Sequence, residues 1–196
     1  MDKNLINNIL EKRPTADHSI EQYLMDARSM FKQLNMIGTN LKGKRVAFLG
    51  DDDHLSLFLC LYFNVEAVVF EIDERVRKSL KQSADTLGLT NHTVIEHDLR
   101  KRIKHNARFD AFIANPPYSS KNGGLGIIVW LKRGLELLTT DGIFLLTIPI
   151  DSSTEWAWEN FKSVQDFLSD NNIYLFDIQK NVHSYFDVPS SLKSSN

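Results

Sequence analysis

The 196-residue chain has the composition of one soluble globular domain, with 42% hydrophobic residues, 24% charged residues and a formal net charge of -2. A charge this close to zero excludes a global field that attracts nucleic acid or anionic lipid, so a polyanion would need a local patch. The single cysteine, Cys60, excludes disulfide frameworks and thiolate metal sites. Residues 1–14 are polar, and no apolar run reaches the roughly 18 residues of a membrane span. We therefore expect a cytoplasmic protein with no signal peptide, membrane anchor or membrane partner.

The N-terminal region is predicted to carry little chemistry. Residues 1–14 show no sustained period and predict a loose arm or a short helix. From Ser19, which forms a capping-box pattern with Gln22, apolar residues recur at intervals of three and four and predict an amphipathic helix ending near Gly38. We expect this arm and helix to form a unit over residues 1–40, followed by the main domain at residues 41–196.

Strand and helix patterns alternate from residue 45 onward. The predicted strands cover residues 45–49, 67–72, 93–96, 109–114, 142–148 and 173–178. The predicted helices between them cover residues 55–63, 74–87, 127–138 and 156–168. Because parallel neighbours need crossover connections, which are usually helical, this order predicts an α/β fold with a mostly parallel, doubly wound sheet and helices on both faces.

Polar residues follow four of these strands, at the edge where an open doubly wound sheet binds its ligand. They are Gly50, Asp51, Asp52 and Asp53, then Glu71 and Asp73, then His97 and Asp98, then Asn115, Pro116, Pro117 and Tyr118. Since the carboxyl ends of parallel strands meet at one edge of the sheet, we expect these residues to line a single site.

The second of these groups predicts a nucleoside site. Glu71 lies 21 residues after Gly50, close to the roughly 20-residue spacing between the first turn of such folds and the acid that holds a ribose. We expect Glu71 and Asp73 at the ribose and Asp98 accepting from the adenine amino group, with Gly50 and Asn115 also binding the cofactor. The alternative is structural, because acids at these positions also offset the dipole of the next helix or stabilise turns.

The fourth group predicts an amine site. The two prolines of Asn115-Pro116-Pro117-Tyr118 fix φ and hold the preceding residue extended, which directs the Asn115 carbonyl and the Tyr118 ring toward the cleft. Amide and backbone oxygens accept the protons of an amine, and an aromatic face covers it. The alternative is a rigid loop with no role in binding.

These motifs resemble known families. The order of elements, the ribose acid and Asn115-Pro116-Pro117-Tyr118 are similar to class I S-adenosylmethionine-dependent methyltransferases, a Rossmann-like fold, and the last motif resembles that of amino-directed, adenine N6-type enzymes. Four motifs in order more closely resemble the branched-chain polyamine synthase family: Gly50-Asp51-Asp52-Asp53, Glu71-Ile72-Asp73-Glu74-Arg75, His97-Asp98-Leu99-Arg100, and Pro116-Pro117-Tyr118 with Gly124-Leu125. This resemblance implies a transferase that moves aminopropyl groups from decarboxylated S-adenosylmethionine to a polyamine nitrogen.

The acidic turn favours the same family on physical grounds. A glycine-rich turn binds the methionine carboxylate of S-adenosylmethionine through free backbone amides, whereas three consecutive aspartates repel it. The decarboxylated donor and a polyamine are both cations. We therefore expect Asp51, Asp52 and Asp53 to hold the small cationic amine substrate, one of them taking its proton, while Asn115 and Tyr118 orient it.

Two other functions remain open from the sequence. One is an amino methyltransferase that uses S-adenosylmethionine on adenine in nucleic acid or on a small amine. The other is a catalytically silent nucleoside-binding or partner-binding protein. No metal is expected, since His54, His92, His97 and His105 lack metal-ligand spacing. The oligomeric state is left open.

Overall fold

The computed structural model describes residues 1–105, 108–117 and 125–185. Its helices are α1 (Lys3–Leu10), α2 (Ala27–Leu41), α3 (Leu55–Phe63), α4 (Glu74–Thr86), α5 (Leu125–Leu135) and α6 (Glu155–Asp170). Its strands are β1 (Arg45–Leu49), β2 (Glu66–Glu71), β3 (His92–Glu96), β4 (Phe109–Ala114) and β5 (Leu138–Leu146). One turn of 3-10 helix at His18–Ile20 precedes α2.

The strands form one parallel sheet in the order β3-β2-β1-β4-β5. At its centre, Phe48 of β1 pairs with Val69 of β2 and with Ile113 of β4. The chain builds outward from β1 to β3 and then returns to the other side of β1 with β4. The adjacent strands β1 and β4 therefore flank a topological switch point, where open α/β sheets bind their ligands. The predicted parallel, doubly wound α/β fold is confirmed.

Alternate residues of the strands face two apolar clusters on opposite sides of the sheet. Val46 and Phe48 pack with buried residues of α1 to α4, and Ala47 and Leu49 pack with buried residues of α5 and α6. Strand residues buried on both faces explain the nearly continuous apolar runs in the sequence. The helices on the two faces complete a three-layer arrangement that holds the strand ends in place.

The N-terminal helices share the first of these clusters. Ile6 and Ile9 of α1 and Leu34 of α2 are buried in it together with residues of β1 and α3. A Cβ atom at Gly38 would lie 2.2 Å from the ring of Phe63, so glycine there allows α2 to approach α3 closely. The predicted unit over residues 1–40 stays a prediction about chain organisation, and its helices contact the sheet domain directly.

The predicted helix from Ser19 to Gly38 is wrong at both ends. The Asp17 side chain accepts from the Ser19 amide at 2.9 Å and closes the 3-10 turn, and Glu21 then adopts a left-handed conformation with φ of 61°. The side chain of Asp26 caps the separate helix α2 by accepting from the Ser29 amide. Aspartate capping therefore outweighs the apolar period before residue 27, and α2 continues past Gly38 because that glycine serves close packing.

Two further elements are shifted by two to four residues at each end, and one predicted strand is absent. Predicted helix 127–138 is Leu125–Leu135, and predicted strand 142–148 is Leu138–Leu146. Residues 173–178 form no strand, because the apolar segment does not pair with the sheet. Tyr174 is 90% exposed and Phe176 is 76% exposed. Among the described helices, none is both long enough and apolar enough to cross a bilayer.

Candidate active site

A cleft of about 280 Å³ opens where β1, β2 and β4 end. The residues predicted from the sequence that line it are Gly50, Asp51, Asp52, Asp53, Glu71, His97, Asp98, Asn115 and Pro117. Met25 and Gln33 from the N-terminal region, and His183 near the other end of the chain, complete its wall. Strand ends thus supply the polar side chains, while both chain ends fold back over them.

Asp51 caps helix α3. Its carboxylate accepts from the Leu55 amide at 2.9 Å, from the Ser56 amide at 3.1 Å and from the Ser56 hydroxyl. Burial raises the pKa of Asp51 to about 8, against the opposing effect of these hydrogen bonds. Both carboxylate oxygens are therefore already engaged in holding the first turn of α3.

Asp53 joins the N-terminal arm to the strand ends. Its Oδ1 accepts from the Met25 amide at 2.6 Å and from Nη1 of Arg13 at 3.2 Å, and the Asn115 side chain also hydrogen bonds to this carboxylate. Burial raises the pKa of Asp53 to about 6, although these three partners favour the charged form. Arg13 in turn donates Nη2 to the Met25 carbonyl at 2.9 Å, so the arm is clamped against the acidic turn.

Asp52 is the aspartate of this turn whose carboxylate is open to the cleft. Its side chain is half-buried, and within the described ranges no other residue donates a hydrogen bond or forms an ion pair with it. Burial, together with the carboxylates of Asp53, Glu71 and Asp51, raises its pKa well above that of an ordinary aspartate. In its charged form such a group attracts cations, and it is a stronger base than an ordinary aspartate.

Glu71 connects the loops that follow β1 and β2. Its Oε2 accepts from the Asp51 amide at 3.1 Å, and its Oε1 accepts from the Asp73 amide at 2.8 Å. The side chain is 6% exposed, and burial raises its pKa. Gly50 has φ of 78° and no Cβ, so the backbone turns sharply in front of Glu71. Carboxylate oxygens held in this way keep further lone pairs for ligand hydroxyls.

Asp73 and Asp98 are held mainly by arginines. Asp73 caps α4 and pairs with Arg75 through a contact of 2.6 Å, and it is not part of the cleft wall. Asp98 lies in the cleft wall, but its carboxylate accepts Nε and Nη2 of Arg100 at 2.9 and 2.8 Å. The hydrogen bond from Arg100 lowers the pKa of Asp98 to about 2. Of these two predicted acids, Asp98 therefore lines the cleft and Asp73 does not.

Asn115 is oriented by the C-terminal part of the described chain. The Tyr185 hydroxyl donates to Asn115 Oδ1 at 3.2 Å, and His183 Nδ1 lies 2.9 Å from the same hydroxyl. Burial lowers the pKa of His183 to about 4, so the ring is neutral at physiological pH. Because Oδ1 faces Tyr185, the amide nitrogen of Asn115 is left for Asp53. Tyr118, predicted to cover the amine, lies outside the described residues.

Several cleft residues were missed by the sequence analysis. Gln33 offered a weak signal, since it is a polar residue on the apolar stripe of α2 beside Met30, Leu34 and Ile37. Arg13 and Tyr185 offered none, because each reaches the site through a contact between distant segments.

Buried histidines lie behind the acidic turn. His54 is fully buried, with Nε2 2.8 Å from the Ser79 hydroxyl, and burial lowers its pKa to about 3. His92 Nε2 lies 2.7 Å from the Ser56 hydroxyl, and burial lowers its pKa to about 4. Both rings are neutral supports of α3. Within residues 1–105, 108–117 and 125–185, no cluster of three or more potential ligands is placed to hold a metal ion.

Comparison with known proteins places this geometry in a family. The N(4)-bis(aminopropyl)spermidine synthase of Methanocaldococcus jannaschii is 29% identical over 185 residues, which is 90% of this chain and 51% of that protein. The crystal structure of the Thermus thermophilus branched-chain polyamine synthase, in complex with N4-aminopropylspermidine and 5'-methylthioadenosine, superimposes with a TM-score of 0.76 at 25% identity, over 94% of this chain and 54% of that one.

The fold itself is more widely shared. A methyltransferase from Pyrococcus furiosus superimposes with a TM-score of 0.64 at 15% identity, over 82% of this chain and 81% of that one, which shows the class I methyltransferase fold alone. The chain spans about half the length of the M. jannaschii synthase and of the T. thermophilus enzyme. Residues 3–193 match the branched-chain polyamine synthase A C-terminal domain, and the chain belongs to that family.

Proposed function

We propose that this chain transfers an aminopropyl group from decarboxylated S-adenosylmethionine to a nitrogen of a linear polyamine. The observation that carries the proposal is the open carboxylate of Asp52, which stands in the same cleft as the nucleoside-type acid Glu71 and is surrounded by further carboxylates. A cleft with this charge attracts two cationic reactants and repels a donor that keeps its carboxylate.

The ligands of the T. thermophilus enzyme support this chemistry. That protein was crystallised with 5'-methylthioadenosine and N4-aminopropylspermidine. The first is the part of decarboxylated S-adenosylmethionine that is left when its aminopropyl group departs, and the second is spermidine carrying an added aminopropyl group. The family membership of this chain and the position of its cleft at the switch point between β1 and β4 support the same pair of products here.

The transfer is an in-line displacement. The lone pair of an acceptor nitrogen forms a bond to the aminopropyl carbon next to the sulfonium, and the carbon–sulfur bond breaks with its electron pair going to sulfur. The neutral thioether 5'-methylthioadenosine leaves, and the nitrogen that has gained a carbon loses its proton. Because sulfonium is a good leaving group, the protein contributes chiefly by positioning the two reactants and accepting that proton.

The residues divide these tasks. Glu71, with Gly50 in front of it, holds the ribose, and Asp98 lies toward the adenine end. Asp52 attracts the acceptor amine and takes its proton, since a carboxylate with a raised pKa is a stronger base than an ordinary aspartate. Asn115 and Tyr118 orient the acceptor.

Asp51, Asp53 and Asp73 support the site from behind. Asp51 holds α3, Asp53 holds the arm and Asn115, and Asp73 holds α4 beside the nucleoside end. The proposal needs no metal, and it includes a cytoplasmic location.

Product analysis tests the proposal. The chain is incubated with decarboxylated S-adenosylmethionine and spermidine, and mass spectrometry measures an aminopropylated spermidine together with an equal amount of 5'-methylthioadenosine. Asp52→Asn is expected to abolish the product while keeping nucleoside binding. Asp85→Asn, an exposed acid on α4 outside the cleft, is the matched control.

The two alternatives appear as different outcomes of the same experiment. Methylation of an adenine-containing oligonucleotide or of the amine, with S-adenosylmethionine as the preferred donor, would replace the proposal with methyl transfer. Failure to bind either donor by calorimetry would make the chain a silent module of the family.

A further inference from the structure

Gln33 brings an uncompensated polar group into the wall of the cleft. The side chain lies on the buried face of α2 and is 2% exposed. Its Oε1 atom has no hydrogen-bond partner in the part of the chain that the structure describes. A buried carbonyl oxygen of this kind costs folding free energy, which a ligand donor recovers.

Gln33 shares the cleft wall with buried apolar residues of the core. Met25, Phe48 and Ile113 line the same cleft, and each of them is at most 6% exposed. Phe48 and Ile113 belong to the central strands β1 and β4, so this part of the wall lies beneath the strand ends that carry Asp53 and Asn115. Apolar wall residues together with one unpartnered acceptor oxygen fit a chain of methylene groups that ends in an N–H donor.

We propose that Gln33 forms a subsite for one terminal amino group of the polyamine acceptor, with its Oε1 accepting an N–H and the apolar wall covering the methylene arm. This inference rests on the proposed function. It identifies Gln33 as a residue that selects acceptors by the distance from their reacting nitrogen to their terminal amine. The carboxylates of Asp52 and Asp53 in the same cleft favour the cationic form of the bound amine.

If Gln33 only stabilised the fold, its substitution would lower the melting temperature and leave ligand affinity unchanged. A binding subsite predicts the opposite result for both quantities. An apolar residue of similar volume removes the unpartnered oxygen, so Gln33→Met is expected to leave the melting temperature unchanged or to raise it. The same substitution removes the acceptor for the terminal amine. Loss of ligand affinity without loss of stability is therefore the signature of a binding subsite.

The experiment is a double-mutant cycle in which one change is made in the protein and the other in the ligand. Isothermal titration calorimetry, in the presence of 5'-methylthioadenosine, measures the affinity of wild-type protein and of Gln33→Met for spermidine and for two analogues, each with one terminal amine replaced by methyl. We expect Gln33→Met to bind spermidine about tenfold more weakly than wild-type protein. For one of the analogues, the two proteins are expected to agree within about twofold, because the N–H that meets Gln33 is absent.

Two further variants keep the test decisive. Gln33→Asn keeps the amide but withdraws its oxygen by one methylene, and we expect a similar loss of spermidine affinity. Leu34→Met, a volume-conserving change at the next residue of α2 in the apolar cluster, is the matched control and is expected to bind like wild-type protein.

The outcomes separate the subsite from the reaction. An equal loss of affinity for spermidine and for both analogues, or no loss at all, would overturn the subsite. Tight spermidine binding that depends on Gln33, without any product by mass spectrometry, would support the subsite and overturn aminopropyl transfer. No spermidine binding by wild-type protein would overturn both.

Discussion

Arg13 and Asp53 form an ion pair with 3.2 Å between Nη1 and Oδ1, and their side chains are only 4% and 7% exposed. Burial lowers the pKa of Arg13 and raises the pKa of Asp53 to about 6. The pair ties the N-terminal arm to the acidic turn of the cleft, so the two depend on each other for stability.

Arg13→Met is expected to destabilise the protein by about 3–5 kcal/mol at pH 7.5, because it leaves a buried carboxylate without its cation. The loss is expected to be smaller at pH 5, below the pKa of Asp53, where the carboxyl group is protonated and needs no cation. Urea denaturation at the two pH values measures the difference. Lys78→Met, which breaks the exposed Lys78–Glu74 pair on α4, is the control, with an expected cost below about 1 kcal/mol. Equal losses at both pH values would contradict an electrostatic role for Arg13.

Tyr185→Phe removes the hydroxyl that donates to Asn115 and keeps the ring beside Tyr23. We expect turnover with saturating donor to fall about tenfold and stability to change by less than about 3 kcal/mol, since two neutral hydrogen bonds are lost, one to Asn115 and one with His183. Binding of 5'-methylthioadenosine is expected to stay the same. Steady-state kinetics with each substrate varied in turn, together with calorimetry, measures these effects.

The control for that change is Tyr62→Phe, which removes a hydroxyl that accepts from the Asp2 amide far from the cleft. It is expected to leave turnover unchanged. A loss of nucleoside affinity in Tyr185→Phe as large as the loss in turnover would move Tyr185 from the acceptor end to the donor end.

Asp52→Asn is expected to gain stability as it loses activity. The pKa of Asp52 is raised in the folded protein by burial and neighbouring carboxylates, so the folded state holds a proton that the unfolded chain releases above about pH 3.9. Stability from this group therefore falls as pH rises, and the neutral amide removes that loss. We expect a higher melting temperature for the variant at pH 8 and no difference at pH 3.5. A lower melting temperature at pH 8 would show that the Asp52 charge stabilises the fold.

Glu71→Gln is expected to weaken the binding of 5'-methylthioadenosine by about tenfold or more. One acceptor oxygen becomes an amide nitrogen that faces a backbone donor, at Asp51 or at Asp73, and the hydrogen bond to a ribose hydroxyl is weakened with it. Asp73→Asn is the matched control, because Asp73 is outside the cleft wall. Calorimetry is expected to show a change within about twofold for that variant. An equal loss in both would place the ribose acid at Asp73.

The sequence was sufficient to predict most of the sheet and the edge at which the cleft opens. Residues 45–49 and 109–114 were predicted as strands and are observed with the same bounds, because their apolar runs are buried on both faces. Residues 173–178 have the same kind of composition but remain unpaired and exposed. An apolar run forms a strand only where a neighbouring strand offers hydrogen bonds. The local sequence does not show whether such a neighbour is present.

The separate roles of the three aspartates in the acidic turn could not be predicted from the local sequence, for a similar reason. Asp51, Asp52 and Asp53 are consecutive and chemically identical, yet one caps a helix, one is open to the cleft and one pairs with Arg13. The difference depends on backbone direction through the turn and on Arg13, which is 40 residues away. Gln33 could be noticed as a polar residue on an apolar stripe, but its place in the cleft required the packing of α2 on the sheet.

The hydrogen bond from Tyr185 to Asn115 spans 70 residues of chain, and this has a consequence during protein synthesis. Strands β1, β2 and β4 leave the ribosome before residue 185 does. A nascent chain can therefore assemble these strand ends before the partner that orients Asn115 is present. The Asn115 side chain reaches its final hydrogen bonding only when residues 183–185 have folded back onto the sheet.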